Sequence, residues 1–66
     1  MTKTAAAHPL EQIRNAERNA PVNIGDRVGN VTIVARHHFS RWPNRDTIVW
    51  EMPDGVRSAG LVVRHG

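Results

Sequence analysis

Residues 36–45 gather most of the chemistry this chain can offer. They hold three guanidiniums (Arg36, Arg41, Arg45), two imidazoles (His37, His38) and two of the three aromatic rings (Phe39, Trp42), with no carboxylate until Asp46. Guanidiniums pair with phosphate through two parallel hydrogen bonds, and an exposed indole can stack on a base. On this chemistry Arg36, His38, Arg41, Trp42 and Arg45 are the candidate nucleic-acid-binding residues. The competing arrangement is a solvated loop in which Trp42 folds back on Pro43 and the core.

Other chemistries find less support. His37 and His38 are neighbours on an extended run and point to opposite faces, so with His8 or His65 they do not converge on an ion; no metal site and no cofactor is expected. Nothing in the sequence brings His37 near His65 for acid–base work, and Ser40 and Ser58 lack a nucleophile motif. No catalytic residue is assigned, and the chain is expected not to be an enzyme. Cysteine is absent, which removes disulfides and thiolate metal sites as sources of stability.

The segment needs elements to hold it. The 66 residues suffice for one domain, near the lower size at which a core alone sustains a fold. Residues 1–8 lack periodicity and are expected to form a flexible tail. Residues 9–21 read as a helix: Pro9 suits its first position, Leu10, Ile13, Ala16 and Ala20 recur at helical spacing, and Pro21 ends it. Glu11 and Arg18 complement the helix dipole, and Glu17 lies within reach of Arg14 one turn back. So short a helix is marginal alone and must dock through Leu10 and Ile13. The surface they cover is either an open end of the domain or a partner, which makes Leu10 and Ile13 the candidate partner-binding residues.

Residues 22–66 read as short strands. Arg27-Val28 and Val31 flank a Gly29-Asn30 hairpin signal, and Val31, Ile33, Ala35, His37 and Phe39 alternate onto the expected core face. After the loop Ile48, Trp50 and Met52 point inward, Pro53-Asp54-Gly55 makes a tight turn, and Val56 to Ala59 returns. Gly60 is read as a kink or bulge before a last strand, Leu61 to Arg64, whose apolar groups on both faces suit a central strand or a self-association edge. The expected class is mostly β: a five-stranded barrel preceded by one short N-terminal α-helix.

The start Ile24-Gly25-Asp26-Arg27-Val28, the long strand, the loop, the strand leading into Pro53-Asp54-Gly55 and the short closing pair resemble the small Src-homology-3-like barrels, including the KOW modules of ribosomal and transcription proteins. The resemblance spans residues 22–65 and implies that barrel architecture. The chain lacks the glycine familiar after the second KOW strand, so RNA or ribosome contact is not carried over.

Composition bounds the partners. Nine basic residues against six acidic give +3, which favours anionic partners, although eight of the nine are Arg and part of that bias can be genomic. No run approaches a membrane span or a secretory signal, so no membrane partner and a cytoplasmic location are expected. The expected function is a non-enzymatic binding module, an accessory regulator of a bacterium or phage, touching nucleic acid through the basic loop. The alternative is a protein-interaction module that engages a host partner, or a second copy as a homo-oligomer, through a barrel edge or the helix.

Overall fold

The computed structural model describes residues 8–64. Residues 1–7 of the tail expected at 1–8, and the terminal His65 and Gly66, lie outside them, while His8 is described and caps the helix. One helix, α1 (Pro9–Asn19), precedes four strands: β1 (Arg27–Val28), β2 (Val31–His38), β3 (Arg45–Glu51) and β4 (Arg57–Val63). The strands form one antiparallel sheet in the order β1-β2-β3-β4, curled into a half-barrel. This is the mostly β class with an N-terminal helix, with four strands in place of the expected five.

The helix begins where His8, extended at ψ 138°, turns its Nδ1 back to accept from the Leu10 amide at 3.1 Å, and Pro9 supplies a preset φ. It stops at Asn19, because Ala20 precedes Pro21 and is held extended at φ −163°. Its inner side carries Leu10, Ile13 and Glu17. Ile13 has no solvent exposure and joins Val22, Val31, Ile33, Ile48, Trp50 and Val62 in the core. Each large apolar side chain so buried contributes about 2 kcal/mol.

β1 and β4 are the two ends of the sheet, and α1 lies against both. The helix thus spans the two end strands of the half-barrel. At the β1 end, Gly29 has φ +62° in the two-residue turn between Val28 and Val31, and the Gln12 side chain occupies the space where a Cβ would stand.

Two expectations are corrected here. Gly60 does not break the last strand, which runs unbroken from Arg57 to Val63 with Gly60 opposite Ile48. Its glycine answers a packing need, since a Cβ there would lie 2.7 Å from the Leu10 side chain of the docked helix.

The second correction concerns the faces of β2. Ile33 pairs with Trp50 but Ala35 pairs with Val49, so Val34 is an extra residue, a β-bulge. A bulge changes the parity of everything that follows. Val31 and Ile33 face the core as expected, whereas beyond Val34 the inward residues are Arg36, opposite Ile48, and His38, opposite Asp46. Ala35, His37 and Phe39 therefore share the outer face.

Candidate nucleic-acid interface

The bulge divides the candidate residues into two groups. Arg36, turned inward, meets the only two buried acids among the described residues. Glu17 is 2 % exposed on α1 and Asp46 is 6 % exposed at the start of β3. Arg36 grips Glu17 in a fork, Nη1 to Oε1 and Nη2 to Oε2, both at 3.0 Å. Its Nε donates to Asp46 Oδ2 at 3.0 Å, Nη2 lies 2.9 Å from the same oxygen, and Nη1 also donates to the Val22 carbonyl at 2.9 Å. The guanidinium thus donates four hydrogen bonds and makes ion pairs with both carboxylates. The Val22 amide closes the circuit by donating to Glu17 Oε1 at 2.9 Å, which fixes the link between helix and sheet.

The network continues outward through His38. Its Nδ1 is 2.8 Å from Asp46 Oδ1 and its Nε2 is 3.2 Å from Arg64 Nη1. A guanidinium only donates, so Nε2 accepts and Nδ1 carries the proton given to Asp46. Bonding to Glu17 holds the Arg36 guanidinium above its ordinary pKa, against the opposing pull of burial. For Asp46, burial pushes the carboxyl up, but the bonds from His38 and Arg36 and the nearby Arg64 charge outweigh it, and the net direction is down. Arg36 and His38 are thereby engaged within the protein.

The second group lies on the loop between β2 and β3. Two i to i+3 hydrogen bonds build it, Trp42 amide to Phe39 carbonyl and Arg45 amide to Trp42 carbonyl, both 3.0 Å. Trp42 is the shared corner of these consecutive turns, and Pro43 sits at the second position of the latter, where its fixed φ is favoured. The Arg64 amide donates to the Asn44 carbonyl at 2.7 Å and ties the loop to the end of β4. Backbone bonds therefore set the positions of the loop side chains.

Those side chains point to solvent. Phe39 is 48 % and Trp42 40 % exposed, their rings are perpendicular at 6.3 Å between centroids, and the Arg41 guanidinium lies 5.6 Å over the indole. His37 extends the row, 6.1 Å from Phe39. Phe39, Ser40, Arg41 and Trp42 line an open recess of about 380 Å³. Arg45 is exposed on the outer face at the start of β3. Of the five candidates, Arg41, Trp42 and Arg45 share the loop and its margin, while Arg36 is turned inward and His38, though exposed, is bonded to Asp46 and Arg64.

Phe39 is the residue that sequence reasoning kept out of the site. Alternation placed it inside, and only the bulge puts it beside Trp42. Leu10 and Ile13, the candidate partner contacts, are packed on the chain's own sheet, and the helix spans its two end strands. Among the described residues no three His, Asp or Glu side chains gather to hold a metal, and no helix is long and apolar enough to cross a membrane. No family model matches the chain, and comparison with curated proteins and with solved structures gives no match.

Proposed function

We propose that this protein is a non-enzymatic binding module that contacts nucleic acid through the loop between β2 and β3. The observation that carries the reading is the pairing of Phe39 and Trp42 in the open with Arg41 held over the indole. Exposed rings interleaved with guanidiniums are the chemistry that nucleic acid rewards, because rings stack on bases and guanidiniums pair with phosphates. The first carboxylate after the segment, Asp46, is turned inward and neutralised by Arg36, so it does not repel a phosphate backbone at the loop. A Src-homology-3-like architecture with α1 in place of the fifth strand, acting in the cytoplasm, belongs to the same proposal.

Arg41→Glu with Arg45→Glu tests it by gel shift at low salt. Retention of DNA or RNA should be lost, and unchanged retention would overturn the reading. With two loop guanidiniums available, the slope of log affinity against log salt should be about −1.4 on a single strand.

A protein-interaction role has its own support in β4, an edge strand whose Val63 is 62 % exposed. An apolar interface there should hardly respond to salt. A pull-down from lysate with and without nuclease separates the two readings.

A further inference from the structure

The recess on the loop has a shape that bears on which form of nucleic acid it takes. The planes of Phe39 and Trp42 meet at 90°, so a flat molecule stacked on either ring necessarily presents its edge to the other. The two rings make a corner, and Ser40 adds a hydroxyl to the lining. A volume of about 380 Å³ lies at the small end of ligand recesses, and the space is open to one side. Arg41 lies over one face of the indole, which places its charge beside anything seated in the corner.

A base inside a duplex has both faces covered by its neighbours and offers only its edges, so it cannot stack on a protein ring without being unstacked first. A base in a single strand has a free face. The turns fix the backbone from which both rings project and the rings already touch each other, which lowers the ordering cost of binding.

We propose that the corner between Phe39 and Trp42 seats one unpaired base of a single-stranded nucleic acid, with the flanking phosphates meeting Arg41 and Arg45. This rests on the nucleic-acid reading above and narrows it: the protein selects single strands over duplex by stacking. Base identity is read weakly, since every base has a stacking face.

Three probes of about 15 nucleotides, within the span of one small single-strand-binding domain, test it on the full chain: an oligothymidylate, its duplex with oligoadenylate, and an abasic strand of the same length. The oligothymidylate should bind about tenfold or more tighter than either of the others, as expected for losing one stacked base. It should also shield Trp42 from iodide quenching, a signal that Trp50, 1 % exposed, does not give. Trp42→Ala should reduce oligothymidylate binding to the level of the abasic strand, and Trp42→Phe should restore part of it.

If duplex or abasic strand binds as tightly as oligothymidylate, and Arg41→Glu with Arg45→Glu still weakens all of them, stacking selection is overturned while nucleic-acid contact stands. If none of the probes binds at low salt, the broader reading fails and this one with it.

Discussion

Arg36 is bonded to Glu17, Asp46 and the Val22 carbonyl at once, and its environment makes a sharp prediction. A buried ion pair is weak as a net source of stability, because both charges must be stripped of water. Breaking one side of it is another matter. Glu17→Gln removes one of the two carboxylates on Arg36 and leaves Asp46 as its remaining counter-charge, so it should cost about 2 kcal/mol in urea unfolding, the worth of a hydrogen bond to a charged group. That is a large share of the stability a domain of this size has. Replacing Arg36 and Glu17 together by Met and Leu should cost far less than the sum of the single changes, which a double-mutant cycle would read as coupling.

Asp46 gives the pH dependence. Its carboxyl titrates lower in the folded chain than in the unfolded one. A carboxylate of this kind stabilises the fold above its unfolded value, near pH 4, and that contribution disappears as pH falls through the lower folded value. Urea midpoints should therefore drop on acidification below about pH 4, and the drop should be shallower in Asp46→Asn. A wild-type midpoint that stays level through this range would contradict the Arg36–Asp46–His38 geometry.

At the scale of the elements, two features decide the result, the bulge at Val34 and the close approach of α1 to β4. Deleting Val34 would remove the extra residue and keep Ile33 inward, Ala35 outward and Arg36 inward opposite Ile48, whereas inserting one alanine after Ala35 would swing Arg36 to solvent and leave Glu17 and Asp46 buried without their counter-charge. The insertion should therefore abolish the cooperative unfolding transition, while the Val34 deletion, which leaves the ion network in place, should retain one. Gly60→Val would drive a branched side chain into Leu10 and should destabilise by about 1–3 kcal/mol through overpacking. Leu10→Ala in that background should recover part of the loss, because it empties the contested space. Absence of any recovery would mean that the helix does not meet β4 at this glycine.

For the molecule as a whole, the helix and the half-barrel are parts of one core. The helix lies against both end strands, and Ile13 and Leu10 pack into the same core as Ile33, Ile48 and Val62. The ion network repeats that connection in polar form, since Arg36 joins a helix acid, a linker carbonyl and a sheet acid. One consequence is separation of tasks. The inner face holds the fold, and the loop on the far side of β2 and β3 can change without disturbing it. Trp42→Ala and Arg41→Glu should shift the thermal midpoint little, as exposed substitutions usually do, while acting on ligand binding.

Residue types alone determined a good deal. Apolar spacing and two prolines marked the helix, Gly29-Asn30 and Pro53-Asp54-Gly55 marked the turns, and β-branched runs with Trp50 marked the inward positions of β3. Both failed boundaries have local causes that are not local in sequence. Gly60 read as a kink or bulge because its neighbour across space, Leu10, is fifty residues away in the chain. The faces of β2 followed alternation until one unpaired residue, and a bulge leaves no mark in the residue types around it. Tertiary structure alone decided which arginine is structural and which faces solvent, because a charge buried among apolar groups is tolerated only where opposite charges converge from separate elements. Glu17 and Asp46 supply that convergence for Arg36 and leave Arg41 and Arg45 at the surface.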